Sequence, residues 1–219
     1  MKIGTDGVLL GAWVSVDENP YSVLDIGAGT GIIALQLAQR SQAELIDAIE
    51  IDEDAYEQCV ENFENSPWGD RLFCYHASLD EFVEEIEEKY DLIVSNPPFY
   101  SENQKTENAA RDLARFADAL PFDVLLDGVS RLLSDEGIFG LILPRKEEEK
   151  FIKLASEYNL FPIRICRVRG NENSEEKRSL MEFSFRETNP KIEHLTIEIE
   201  RHKYTEAYKN LVQDFYLDL

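Results

Sequence analysis

Tyr21-Ser22-Val23-Leu24-Asp25-Ile26-Gly27-Ala28-Gly29-Thr30-Gly31 is the stretch that decides the fold. Its first six residues read as a short buried strand, and a helical pattern follows from Ile32 to Arg40. Glycines between a strand and a helix let the backbone turn sharply and approach a ligand, with free amides at the helix start. The spacing is G-x-G-x-G, and Ile32 stands where a dinucleotide-binding fingerprint needs its third glycine. No G-x-x-x-x-G-K-[ST] stretch is present, which excludes a nucleoside-triphosphate loop.

Working outward, strand and helix patterns alternate, which predicts one α/β domain over residues 1–219 with a mostly parallel sheet. Leu45 to Ile51 is a second strand, ending in Glu50-Ile51-Asp52. Glu50 lies one strand-helix-strand unit beyond the glycines, where an acid can accept hydrogen bonds from ribose hydroxyls, the alternative being a solvated strand-end carboxylate. Asp52 is placed to cap the next helix. Strands are further expected over 71–76, 91–95 and 137–143, with helices over 54–65, 80–88 and 146–158. A helix over 111–133, interrupted near Pro121, is expected between the last two of these strands. Phe161–Val168 and Leu180–Phe185 read as an antiparallel hairpin, and 205–216 as a closing amphipathic helix.

The strand ending at Val94 runs into Ser95-Asn96-Pro97-Pro98-Phe99-Tyr100. Two successive prolines stop the strand, remove two backbone donors and fix an extended turn. An Asn side chain and the Pro97 carbonyl, with an aromatic ring beside them, suit a flat, uncharged amine that must be held, stacked and made nucleophilic. An ordinary strand-to-loop turn is the bland alternative. The polar stretch 101–110 that follows lacks periodicity and is expected to be a substrate lid.

Composition sets limits. The 219 residues are 43% hydrophobic, enough for one sizeable core, and no apolar run reaches membrane-span length. Three cysteines and three histidines show no metal-ligand spacing, so no metal is expected, and the thiols read as reduced in a cytoplasmic protein. The formal charge of −22 opposes binding to phosphate backbones. Its distribution is uneven: residues 44–90 hold sixteen acids against two bases, whereas 141–186 hold ten bases against eight acids. Arg164, Arg167, Arg169, Lys177 and Arg178 are candidates for a local basic face.

These motifs carry a resemblance. Val23–Gly31 is similar to the first motif of Rossmann-like methyltransferases that use S-adenosylmethionine (S-adenosyl-L-methionine), and Asn96-Pro97-Pro98-Phe99 resembles their [DNS]-P-P-[YFW] motif for planar amino nitrogens. The opening Met1-Lys2-Ile3-Gly4-Thr5-Asp6-Gly7-Val8-Leu9-Leu10-Gly11-Ala12-Trp13 resembles the bacterial tRNA1(Val) adenine-37 N6-methyltransferase family, and the similarity covers most of the chain. The resemblance implies a Rossmann-like class I fold: a mostly parallel seven-stranded sheet with a C-terminal antiparallel hairpin and helices on both faces. It implies Asn96, Pro97 and Phe99 as catalytic residues. Asp25, Gly27, Gly29, Gly31, Glu50 and Ser78 would bind the cofactor, and Pro98, Tyr100, Lys105 and Arg111 the substrate. Ser78, or a backbone amide, would stand in for the acid that many relatives place on the cofactor's adenine. The partner implied is tRNA, with no membrane and no metal, and a monomer is favoured. Family members carry a few tens of residues before this opening segment, expected near the substrate cleft. Alternatives are another planar amine (guanine N2 in ribosomal RNA or a protein glutamine amide) and a non-catalytic cofactor-binding RNA chaperone.

Overall fold

A computed structural model describes residues 4–98 and 120–217. Helix α1 (Thr5–Trp13) precedes β1 (Ser22–Ile26), α2 (Ile32–Arg40), β2 (Leu45–Glu50), α3 (Glu53–Glu64), β3 (Leu72–His76), α4 (Leu79–Glu85) and β4 (Tyr90–Ser95). Beyond the undescribed stretch come α5 (Phe122–Leu132), β5 (Leu133–Pro144), α6 (Glu148–Glu157), β6 (Phe161–Arg169), β7 (Glu176–Ser184) and β8 (Lys191–Thr196). The short strands β9 (Glu198–Glu200) and β10 (Lys203–Tyr204) pair with each other before α7 (Glu206–Val212).

The sheet runs β3-β2-β1-β4-β5-β7-β6-β8, and β7 alone lies antiparallel to its neighbours. Seven strands and the hairpin follow expectation; β8, parallel to β6, adds an eighth at the edge. Alternate residues of each inner strand feed two cores. Val23, Ile46, Leu92 and Val94 pack with α1, α2, α3 and α7, while Leu24, Ile49 and Ile93 pack with α4, α5 and α6. A strand buried on both faces needs the near-continuous apolar runs seen in β1 and β4.

Local chemistry sets the boundaries. The Asp52 side chain accepts the Ala55 amide at 2.8 Å and starts α3. Pro121 stands at the N-cap of α5, where its missing N–H costs nothing. β5 is longer than the pattern 137–143 suggests: Tyr90 pairs with Leu133, Leu92 with Ile138, and the residues between bulge before regular pairing resumes. The closing helix is shorter than expected and ends in a 3-10 turn at Gln213–Phe215.

The β1–α2 turn is the tightest point of the fold. Gly27, Gly29 and Gly31 have φ of 71°, 57° and 76°, the left-handed region that glycine enters without penalty. A Cβ on Gly31 would also sit 2.5 Å from Phe63 Cε1 and 2.7 Å from Cys59 Sγ. Gly31→Ala is therefore expected to cost about 2–5 kcal/mol, from backbone strain plus overpacking, read as a lower urea midpoint.

Candidate methyl-transfer site

In the strand order 3-2-1-4-5 the chain reverses its winding between β1 and β4, and ligands of open α/β sheets bind beyond the carboxyl ends of the strands at such a switch. Gly27 follows β1, Glu50 ends β2 and Asn96 follows β4, so three expected site positions lie on adjacent strand ends. Strand spacing separates the β2 and β4 ends by about 10 Å, within the span of one small ligand. The Ser95 hydroxyl donates to the Ile26 carbonyl at 2.9 Å and clamps the β4 end to the β1 end.

Around the turn the backbone is held without side chains in the way. The Gly27 and Ala28 amides donate to the Ile49 carbonyl at 2.9 and 3.1 Å, and Asn62 Nδ2 donates to the Thr30 carbonyl at 2.9 Å. A Cβ on Gly27 would meet nothing within 4 Å, so open space lies beside this exposed glycine. The Glu50 carboxylate, buried at the rim, accepts from Gly29 N at 2.7 Å and from the Ile51 and Asp52 amides at 2.9 Å each. Three of its roughly four lone-pair sites are occupied, which fixes its orientation and leaves acceptor capacity for a hydroxyl. Ile51, which sequence reading passed over, is 61% exposed beside it and offers an apolar platform. A large aliphatic residue after a strand-end acid was the available signal.

Asp25 is fully buried beneath the turn. Its Oδ2 accepts the Ala34 amide at 3.2 Å, and Oδ1 has no partner among the described residues. It ties β1 to the first turn of α2 from behind the cradle. Ser78 caps α4: its amide and hydroxyl reach Glu81 Oε2 at 2.9 and 2.8 Å, and its Oγ accepts the Glu81 amide at 3.3 Å. Its polar groups are engaged by that helix start. Pro97 is buried and Pro98 exposed, while Asn96 is half-buried. Phe99, Tyr100, Lys105 and Arg111 lie outside the described residues, as does the lid expected over 101–110.

The N-terminal helix forms the other wall. A Cβ on Gly7 would stand 3.3 Å from Ile32 Cγ2 and 3.9 Å from Asn96 Nδ2, so α1 presses its glycine against both motifs. The preceding Asp6 accepts from Arg178 Nε on β7 at 2.7 Å. The Thr5-Asp6-Gly7 opening was legible as a motif, but its position beside Asn96 was not. Arg164 leaves the expected basic face: it lies 4.2 Å over the Trp13 ring and pairs with Glu193 and Glu182. Among the described residues no three His, Cys, Asp or Glu gather as a metal site, and no helix is long and apolar enough to cross a membrane.

The glycine cradle, the anchored strand-end acid and the β3-β2-β1-β4-β5-β7-β6 order define a Rossmann-like methyltransferase. The methyltransferase small domain model matches residues 9–120. At low identity the fold is shared with a predicted O-methyltransferase from Agrobacterium tumefaciens (TM-score 0.71, 17% identity, 95% of this chain and 96% of that one). A ribosomal protein L11 methylase from Lactobacillus delbrueckii shares it too (TM-score 0.57, 16% identity, 83% and 77%). The chain belongs to the tRNA1(Val) (adenine(37)-N6)-methyltransferase family. It is 65% identical to a protein of that name from Christiangramia forsetii, over 100% of this chain and 92% of the relative. A second, from Flavobacterium psychrophilum, is 61% identical over 100% and 94%.

Burial, opposed by the Ala34 N–H bond and reinforced by the Glu50 charge, raises the Asp25 carboxyl to about 7 from its ordinary 3.8. The native state therefore holds a proton that the unfolded chain releases, so this group makes stability fall as pH rises from about 4 to about 7. Asp25→Asn, whose Oδ1 can still accept from Ala34, is expected to flatten that window. Urea midpoints at pH 5 and pH 8 should differ less in the variant than in the wild type.

Proposed function

We propose that this chain, folded as one methyltransferase domain, transfers a methyl group from S-adenosylmethionine to the N6 amine of adenine 37 in tRNA1(Val), in the cytoplasm. The observation that carries this reading is the ledge after β4, Asn96-Pro97-Pro98, set beside the glycine cradle and against Gly7 of the family-specific opening. The full-length similarity to relatives bearing that name supports the substrate.

The donor fits what the residues offer. Gly27, Gly29 and Gly31 form a turn with open space at Gly27, and Glu50 is an oriented acceptor for ribose hydroxyls. With Ser78 engaged by Glu81, the backbone near it would meet the adenine of the donor. Once bound, S-adenosylmethionine supplies an electrophilic methyl group on a sulfonium. The protein supplies the other half by positioning. Pro97 and Pro98 carry no N–H, so their carbonyls stand on the ledge with no backbone donor from the same residues. Asn96 Oδ1 and the Pro97 carbonyl would accept from the two N–H bonds of the adenine amine. That holds the amine, favours a pyramidal nitrogen and aims its lone pair. Methylation makes those N–H protons acidic, and the same two oxygens hold the departing proton until solvent takes it. Phe99 and Tyr100 would stack on the unstacked base, a contact worth about 1–3 kcal/mol. Lys105 and Arg111 would touch the RNA.

The deciding assay is transfer of labelled methyl to unmodified tRNA1(Val), beside a transcript whose adenine 37 is replaced by guanine. Label on the first alone is the expected outcome; equal label on both moves the target elsewhere. Donor binding without transfer to any RNA would sink the enzymatic reading.

Two variants separate the roles. Asn96→Ala is expected to lower kcat at least a hundredfold, since it removes an acceptor used in the transition state, with donor Kd within about twofold. Glu50→Gln should weaken donor binding about tenfold or more, through loss of charge-assisted hydrogen bonds, while kcat at saturating donor changes less. Donor titration and single-turnover kinetics check both.

A further inference from the structure

The sheet order that builds the site also sorts the charge. The acid-rich stretch 44–90 forms β2, α3, β3 and α4 on one side of β1, whereas the basic residues of 141–186 lie on the other side, on the segment after β5, on α6, β6 and β7 and just beyond β7. At the carboxyl end of β5 the basic side chains line the rim in a row that straddles the sheet, Arg167 on the α6 side and Arg178 on the α1 side. Arg145 follows Pro144, Arg178 pairs with Pro144 across β7, and Arg167 on β6 pairs with Ser179 of β7.

One buried acid organises this row. Glu148, 2% exposed, accepts from Arg167 Nη2 at 2.9 Å, from Arg167 Nε at 3.3 Å and from the Ser179 hydroxyl, and lies 3.5 Å from Arg145 Nε. Glu176 is 3.6 Å from Arg145 Nε, and Asp6 takes Arg178 Nε. Each acid grips one edge of a guanidinium. Among the described residues, both terminal nitrogens of Arg145, Nη1 of Arg167, Nη2 of Arg178 and the Lys177 ammonium have no acceptor. Guanidinium forks held in place with free donors suit phosphate oxygens, because little side-chain entropy remains to be lost on binding. The row starts beside the methyl-transfer ledge, since Asp6, which holds Arg178, precedes the Gly7 that abuts Asn96.

We propose that the β5–β7–β6 rim, through Arg145, Arg167, Lys177 and Arg178, receives the phosphate backbone of the RNA whose base enters the site. This rests on the RNA reading given above. The acidic β2–β3 side repels the same backbone, so a chain of net charge −22 steers RNA to one half of its sheet edge.

The test is binding of the tRNA1(Val) transcript to the full chain over a salt series. Arg145→Gln/Lys177→Gln is expected to weaken Kd about tenfold and to lower the slope of log Kd against log salt by roughly one to two. Its donor Kd, melting temperature and kcat at saturating RNA should match the wild type. Glu175→Gln, which removes an exposed acid beside the row, should tighten binding about twofold. Arg131→Gln, in the last turn of α5 just before the amino-terminal end of β5, should change neither quantity. If the double variant melts early, Glu175→Gln decides alone, and unchanged or weaker binding there overturns the surface. Wild-type slope and affinity in the double variant, or an equal loss in Arg131→Gln, also overturns it while leaving the substrate intact. A wild-type chain that binds no RNA removes the substrate reading and this surface together.

Discussion

Everything in this molecule hangs on a turn that must reverse direction in five residues while keeping its backbone uncovered. Gly27, Gly29 and Gly31 all occupy the left-handed region, and the third is also crowded by Cys59 and Phe63 of α3. That crowding is productive: it lets α3 close over the start of α2, so both helices cover one face of the sheet. Asp25 secures the turn from below through Ala34, and Glu50 secures it from the side through Gly29. The glycine turn is therefore also the joint between the sheet and its first layer of helices.

The site is built from backbone and acceptors more than from ionisable catalysts. Glu50 is oriented by three amides, and the ledge after β4 loses two N–H groups to its prolines. Such an arrangement suits a neutral amine, which brings its own donors, and would serve poorly for a substrate that needed protonation. The Ser95–Ile26 bond and the approach of Gly7 fix the ledge relative to the cradle. Precision here comes from packing between elements that are far apart in the chain.

Charge follows the same geometry. Taken as a total, −22 argues against a polyanionic partner; distributed by the strand order, it becomes a field with a direction. Glu148 is central to that distribution because one buried carboxylate restrains two guanidinium groups and leaves donors over.

Much was legible in the chain because it is local. The strand-turn-helix at 21–40, the Asp52 cap, the strand-ending prolines and the hairpin over 161–185 are decided by residues within a few positions of one another. Glu50 could be placed at a strand end for the same reason. Ser78 shows the limit: its short polar side chain fits both a ligand and a helix cap, and the Ser78-x-x-Glu81 spacing that signals the cap is confirmed by Glu81 gripping it. The bulge that lengthens β5 and the eighth strand β8 were likewise invisible, since edge pairing depends on which backbone is left unpaired. Sequence by itself determined most of the elements, the turn and the chemistry of the motifs, because steric and hydrogen-bonding preferences act over a few residues. Tertiary structure alone decided that Gly7 meets Asn96, that Asp6 holds Arg178 and that Arg164 withdraws onto Trp13. Those contacts join residues from 89 to 172 positions apart, and only the packed sheet brings them within reach.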